Sequence, residues 1–245
     1  MDGPTPRPEL PRPDGPAPLE AWAGIECSRV RVKRRIVDQV ALTGHRDRLA
    51  DIERIAGLGV RACRYPVLWE HVAPRGLATA DWTWADDRLG RLRAAGVRPI
   101  VGLLHHGGGP RGMSLRHPAF PAAFARYAAA VARRFPWLLD YLPINEPLTT
   151  ARFAGLYGVW HPHAAAPEPF ARLLIGQCLA IRAAMRAVRT VQPAARLIVN
   201  EDVGRTSGTV ACADLAVEYQ TRRWATWNLL FGRVDRHHPM QAIPR

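Results

Sequence analysis

The sequence predicts an α/β protein built on a parallel sheet, and three observations lead to this prediction. From residue 24 onward, short β-type runs alternate strictly with longer helical runs, which favours right-handed crossovers in one sheet. Residues 97–105 are almost continuously apolar, as expected of a strand covered on both faces. Polar side chains follow directly after each strand, where the carboxyl ends of parallel strands meet at one edge.

Five strand–helix units are expected in chain order. The strands are residues 24–28, 60–67, 97–105, 141–145 and 196–200. The helices are residues 47–58, 84–95, 121–135, 169–191 and 211–230. The second helix stops at Gly96, a suitable terminating residue. In the third, Phe124, Tyr127, Ala128 and Val131 recur at spacings of three and four, as on the buried face of a helix.

Residues 1–18 predict a flexible leader ahead of one domain at 19–245. The leader is rich in proline, which lacks the amide donor that helices and central strands need. It has no apolar core of the kind found in signal peptides. No run approaches the roughly 20 apolar residues of a membrane helix. We therefore expect no membrane association and a cytoplasmic location.

Composition indicates a globular protein rather than a disordered one, with 48% hydrophobic and 22% charged residues. The formal net charge is +13, and arginine carries nearly all of the positive charge. These arginines are spread along predicted helix faces, which favours solvated surfaces over a nucleic-acid partner. The four cysteines have no C-x-x-C spacing and predict free thiols: Cys27, Cys63, Cys178 and Cys212.

The strand-end residues favour a (β/α)8 barrel of the TIM type. They are Glu26, Arg64, His105, His106, Asn145, Glu146, Glu201 and Asp202. Such a barrel brings these positions together at its active face. A doubly wound sheet usually has a glycine-rich first turn, which residues 24–27 lack. Five units take about 42 residues each, and eight would need on the order of 340. The chain therefore predicts about five units, whose unpaired edges favour self-association.

The sharpest chemical signal is Asn145-Glu146-Pro147 at the end of an apolar strand. A half-buried glutamate holds its proton more tightly than a solvated one and can give it to a leaving oxygen. Glu146 is therefore the candidate general acid, and Asn145 can hold a substrate hydroxyl. Alone, this tripeptide is equally compatible with a capping or turn role.

Three motifs in order resemble family 1 glycoside hydrolases, which are β-glucosidase-like clan A barrels. Arginine ends the second strand and tryptophan follows five positions on, at Arg64 and Trp69. Histidine precedes proline by four positions after the third strand, at His106 and Pro110. The fourth strand ends in the acid/base motif at residues 144–147. The resemblance covers roughly residues 20–235 and corresponds to the amino-terminal part of a family barrel.

The resemblance implies a role for each matching residue. Glu146 would be the acid/base, Asn145 would contact the sugar 2-hydroxyl, and His106 would bind hydroxyls at the non-reducing end. Arg64 would lie beneath the nucleophile and keep it ionised, or would simply be a buried ion-pair partner. His105 is assigned to packing, because neighbouring strand residues face opposite sides.

Two segments depart from the family pattern. The first strand of the family leads to a sugar-binding glutamine, for which Glu26 is the candidate replacement here. After the third strand the family has an aromatic and a polar residue, whereas residues 107–109 are glycines that predict an open, mobile wall. Trp160 is a candidate for lining the aglycone site, with packing as its alternative.

The family nucleophile, a glutamate on the seventh strand, has no matching motif in this sequence. A retaining mechanism needs two carboxylates about 5–5.5 Å apart. Glu201 and Asp202 are the candidates for the second carboxylate, and helix capping or substrate contact is the alternative role for them.

Hydrolysis of a β-linked glycoside with retention, using no cofactor, is the function that these features imply, and the chain alone is expected to lack the nucleophile. One alternative is a sugar-binding protein without catalysis. Another is a barrel module associated with a sugar-nucleotide enzyme. A metal site is not expected, because no carboxylate or cysteine completes a ligand set around His161 and His163 or around His237 and His238.

Overall fold

A computed structural model describes residues 19–234 of the chain. The predicted leader and the pair His237 and His238 lie outside the described residues. The strands are β1 Trp22–Gly24, β2 Arg29–Val32, β3 Arg35–Asp38, β4 Ala62–Pro66, β5 Arg98–His105, β6 Asp140–Asn145 and β7 Arg196–Leu197.

The helices follow the strands in alternation, as the sequence predicts. They are α1 Gln39–Leu42, α2 Ala50–Gly57, α3 Trp69–Val72, α4 Thr83–Ala94, α5 Phe120–Arg134, α6 Pro147–Ala151, α7 Pro167–Arg189, α8 Ala213–Arg223 and α9 Ala225–Leu230. Short 3₁₀ turns cover Leu77–Thr79 and Val210–Cys212, and a π-helical turn covers Arg152–Leu156. Within residues 19–234, no helix combines the length and the apolar character needed to cross a membrane.

The main sheet has five parallel strands side by side, in the order β1-β4-β5-β6-β7. All their carboxyl ends therefore lie at one edge, which is the edge that carries the candidate site. The strands β2 and β3 pair with each other as an antiparallel hairpin, inserted between the first two strands of the main sheet. No strand was predicted over residues 29–38, so this hairpin differs from the expected organisation.

Three predicted boundaries are wrong. The first strand is Trp22–Gly24 rather than 24–28, because Gly24 pairs with Arg64, the last β4 residue that β1 reaches. The last strand covers only two residues of the predicted 196–200, because β7 is an edge strand that pairs solely with Asp140 and Tyr141 among the described residues. The final helix is divided at Trp224 into α8 and α9.

An aromatic cluster fills the layer between the sheet and the helices. Trp69 packs against Phe120, Phe124 and Tyr127, with ring centroids 5.7–6.0 Å apart. Trp82 stacks on the same Tyr127 ring at 6.2 Å. Edge and offset ring contacts of this kind add to the area buried by large side chains. Trp82 is thus part of the packed aromatic layer.

A buried carboxylate holds the amino-terminal ends of the strands together. Asp140 has no solvent-exposed surface. It accepts two hydrogen bonds from Arg196, at 2.7 and 2.9 Å, and another from Arg98. The two arginines belong to the strands on either side of β6, so this ionic group fixes β5, β6 and β7 in register.

Gly155 lies where α7 packs closely against the turn after α6. A Cβ at this position would lie 2.7 Å from Phe170 Cα and 2.8 Å from Phe170 N. Because those atoms are backbone and cannot rotate away, Gly155→Ala should lower the free energy of unfolding by about 2 kcal/mol. Gly176→Ala is the control, since its Cβ would meet nothing nearer than 3.8 Å. Urea unfolding should show that variant unchanged or stabilised by up to about 1 kcal/mol.

Candidate functional site

The candidate site begins where β5 and β6 end in strained backbone. His106 follows β5 with φ of 63°, and Glu146 follows β6 with φ of 42°. Both values fall in the left-handed region, which costs a residue with a Cβ about 1–3 kcal/mol. Such backbone persists only where surrounding contacts hold it, and the side chains around Asn145 provide those contacts.

Asn145 is the centre of a hydrogen-bond network at the sheet edge. Its Oδ1 accepts from Arg64 Nη1 at 2.5 Å and from Asn200 Nδ2 at 2.7 Å. With Oδ1 satisfied by two donors, the side-chain amide must present Nδ2 to His106 Nε2, 3.4 Å away. Asn145 is 2% exposed. One amide at the end of β6 therefore links Arg64 in β4 to His106 after β5 and Asn200 after β7.

The network continues from His106 to the backbone of Glu146. His106 Nδ1 lies 2.8 Å from Thr150 Oγ1, and that hydroxyl donates to Glu146 O at 3.1 Å. The hydroxyl proton is used on Glu146, so Thr150 must accept from His106 Nδ1–H. Nε2 is then the acceptor nitrogen of a neutral ring. Burial lowers the pKa of His106 to about 4, which also favours the neutral form.

Glu146 itself is half-buried, and its carboxylate makes no hydrogen bond within residues 19–234. Its backbone N–H donates to Asn200 Oδ1 at 3.3 Å. Asn200 was not singled out from the sequence, although it directly precedes Glu201 in the last polar strand-end segment. The strand-end rule that selected its neighbours could have found it.

Glu201 lies close to Glu146 but is held as a helix cap. Its Oε1 accepts from Leu148 N at 2.8 Å and from Thr226 Oγ1 at 2.6 Å. The capped helix is α6, which follows Glu146, and not the next helix along the chain. Burial, with a smaller contribution from the neighbouring Glu146 charge, raises the pKa of Glu201 to about 7. Glu201 Oε2 is buried without a hydrogen-bond partner.

The remaining predicted residues lie at the rim. The Trp160 ring is 4.7 Å from the His106 ring and 4.7 Å from that of Phe153. Glu26 is exposed, and its Oε1 lies 3.7 Å from His105 Nε2. Asp202 is exposed and lies beside Arg152 and Arg223. These two arginine contacts place Asp202 outside the Asn145 network.

The expectation that His105 and His106 face opposite sides is wrong. Their rings contact edge to face, with centroids 4.6 Å apart. The alternation of a strand ends at His105, because the left-handed φ of His106 turns the next side chain back to the same side. His105 is buried and its Nδ1 lies 2.9 Å from Cys27 Sγ.

Arg64 donates to Ile25 O at 3.1 Å and has no ion pair within residues 19–234.

A buried carboxyl group fills the wall that residues 107–109 were expected to leave open. Glu70, on α3, is 5% exposed, and its Oε1 accepts from Gly109 N at 3.0 Å. A Cβ on Gly107 would overlap Glu70 Oε1 and lie 2.9 Å from Glu70 Cδ. Glu70 thus occupies the space that a side chain at position 107 would take.

No group of three or more His, Cys, Asp or Glu side chains suited to a metal occurs in residues 19–234. The rings of His161 and His163 are 6.2 Å apart. The four cysteines are free, and three of them are buried.

The contact between Gly107 and Glu70 can be tested with a double-mutant cycle. Gly107→Ala should lower the free energy of unfolding by about 1–3 kcal/mol, because the added methyl displaces a buried carboxyl group. Gly108→Ala is the control, since its Cβ would meet nothing nearer than 3.5 Å. Adding Glu70→Ala should make the Gly107→Ala substitution less costly. Purely additive effects would contradict this contact.

Glu201 should make stability depend on pH. Because its folded-state pKa is raised above the ordinary value of 4.5 to about 7, the favourable contribution of the protonated group is complete below pH 4.5 and is lost as pH rises through 7. Relative to Glu201→Gln, the wild type should lose up to roughly 3 kcal/mol between pH 4.5 and pH 8 in urea unfolding. The control variant Glu168→Gln, which changes an exposed carboxylate, should lose as much stability between pH 4.5 and pH 8 as the wild type does.

The relatives found by comparison with known proteins are β-glucosidases. The chain is 25% identical over 177 residues to coniferin β-glucosidase of Pinus contorta and 27% identical over 160 residues to β-glucosidase A of Thermotoga maritima. These matches cover 68% and 62% of this chain but 34% and 35% of the relatives. The chain therefore spans about a third of the length of the curated relatives it matches. No protein-family model matches the chain.

Solved structures give the same result for the fold. The family 1 β-glucosidase of Thermotoga maritima superimposes with a TM-score of 0.64 at 19% identity, covering 73% of this chain and 42% of that one. Its complex with cyclophellitol gives 0.59 at 22% identity, covering 66% and 39%. The chain is thus a homologue of the family 1 β-glucosidases and has the fold of part of their TIM barrel.

Proposed function

We propose that this chain provides the acid/base half of a site that hydrolyses β-linked glycosides with retention. The observation that carries the proposal is the Asn145 network, which supports Glu146 from both sides while leaving its carboxylate without a hydrogen bond in the described residues. A half-buried carboxyl group at a barrel's active edge is suited to giving a proton to a leaving oxygen and then taking one from water.

The neighbours of Glu146 would bind the sugar. The contact between Asn145 Nδ2 and His106 Nε2 is 3.4 Å, the longest in the network, and a ligand hydroxyl can replace it with two shorter hydrogen bonds. Trp160 adds an aromatic face beside His106, against which the apolar face of a sugar ring can pack. Arg64 would place its positive charge near the reacting centre and favour an ionised carboxylate there.

The nucleophile is proposed to come from outside residues 19–234. Glu201 is unsuited to the role, because a nucleophile must be ionised and accessible, and this carboxyl group caps α6 with a raised pKa. Asp202 is held by two arginines away from the Asn145 network. A further segment of the same barrel, or of a partner chain, would complete the pair of carboxylates.

Glu146→Gln tests the acid role in the protein as its host produces it. An amide cannot protonate a leaving group, so turnover of methyl β-glucoside should fall by at least about a hundredfold. The leaving group of 2,4-dinitrophenyl β-glucoside needs no proton, so the first step, its departure, should be much less affected. Azide should restore the second step, the breakdown of the glycosyl-enzyme. The exposed Glu168→Gln variant is the control. Equal slowing of both substrates would rule out an acid role for Glu146.

Sugar binding without catalysis is the second candidate, and the capped state of Glu201 is the observation that favours it. Under this alternative, calorimetry with deoxynojirimycin would show saturable binding that His106→Ala abolishes, while neither glucoside is turned over. A related β-glucosidase has been solved with this sugar analogue, which makes it a suitable probe. Turnover that depends on Glu146 would exclude this alternative.

A further inference from the structure

A cavity of about 480 Å³ lies between the β2–β3 hairpin and the loop after β5, away from the Asn145 network. The hairpin forms one wall, and the glycine-rich segment 108–112 forms the other. Its polar lining residues are Arg29, Arg31, Glu70, Arg111, Ser114 and His161. The cavity is large enough for a tetrahedral oxyanion together with part of the molecule that carries it.

The guanidinium groups around this cavity are poorly paired. Arg31 and Arg111 are exposed, and their side chains have no hydrogen bond or ion pair within residues 19–234. Arg29 Nε is buried without a hydrogen bond. It lies 3.5 Å from Asp38 Oδ2, an oxygen that His71 already contacts at 2.7 Å. Three positive charges therefore face one cavity with a single weak ion pair among them.

Glu70 is the one carboxyl group that lines the cavity in the described part of the chain. Its Oε1 accepts from Gly109 N, and its Oε2 is buried with no hydrogen-bond partner. Burial raises the pKa of Glu70, which favours the neutral acid. In the protonated form the O–H would lie on the unpartnered Oε2, and that form would complement an oxyanion instead of repelling it.

We propose that this cavity is a binding site for an oxyanion group, such as a sulfate, phosphate or carboxylate. Arg29, Arg31 and Arg111 supply the positive charge, and the planar fork of each guanidinium suits paired oxygens. Protonated Glu70 would add a buried donor at the back through its unpartnered Oε2. The site shares no side chain with the Asn145 network, so it does not depend on the proposed glycosidase activity.

The glycine segment connects this cavity to the candidate sugar site. Residues 107–109 lead directly from His106 to the cavity wall, and Glu70 touches that segment from the other side. The oxyanion can therefore be a substituent of a sugar bound beside His106 or a free inorganic anion. Both sources share the same recognition chemistry.

Isothermal titration calorimetry of the whole chain at constant ionic strength tests the proposal. The probes are inorganic sulfate, glucose 6-sulfate and glucose. We expect saturable sulfate binding that the double variant Arg31→Ala/Arg111→Ala weakens by at least about tenfold, because a hydrogen bond to a charged group is lost at each position. Arg34→Ala/Arg35→Ala is the matched control, since it removes the same number of positive charges from the β2–β3 hairpin at positions that do not line the cavity.

Each outcome bears on the site directly. Loss of binding only in the cavity variant, with circular dichroism unchanged, would support the site. Tighter binding of glucose 6-sulfate than of sulfate would assign it to an anionic sugar, and equal binding would assign it to a free anion. Absence of sulfate binding at millimolar concentration, or equal weakening in both double variants, would overturn the proposal. The Glu146→Gln variant should bind sulfate as the wild type does, whatever happens to its glycosidase activity.

Discussion

The hydrogen bonds of one buried amide determine the geometry of the whole candidate site. Asn145 ends β6, and its side chain contacts Arg64 from β4, His106 after β5 and Asn200 after β7. Its carbonyl oxygen is saturated by two donors, which fixes the direction of its amide nitrogen. A buried network of this kind is rigid only when each member is satisfied, and substitution of the central residue would leave several polar groups unpaired.

The strained backbone at the site depends on that network. His106 and Glu146 both have left-handed φ values, and each is linked to it, the first through its ring and the second through its N–H and C=O groups. Glu201 completes the support by capping α6, which begins right after Glu146. The strained backbone therefore directs the side chains of His106 and Glu146 across the sheet edge. Regular strand ends would have directed them elsewhere.

Sequence patterns located the strands that carry this site, because alternation of apolar runs and helical periods reflects which faces are buried. The central strands β4, β5 and β6 were predicted to within two residues at each end, since each is covered on both sides. The edge strands β1 and β7 were not, because pairing with one neighbour decides where an edge strand stops. The β2–β3 hairpin was missed because its arginines break the apolar pattern.

The sequence by itself determined the fold class and the family resemblance, because strand-end motifs at Arg64, His106 and Glu146 are local and occur in a recognisable order. Only the tertiary structure decided how those residues contact each other. It turned His105 and His106 to the same side, made Glu201 a cap for α6, and placed Glu70 in the space beside Gly107. Each of these depends on contacts between residues far apart in the chain, and a local pattern holds no information about which distant atom will fill a given space.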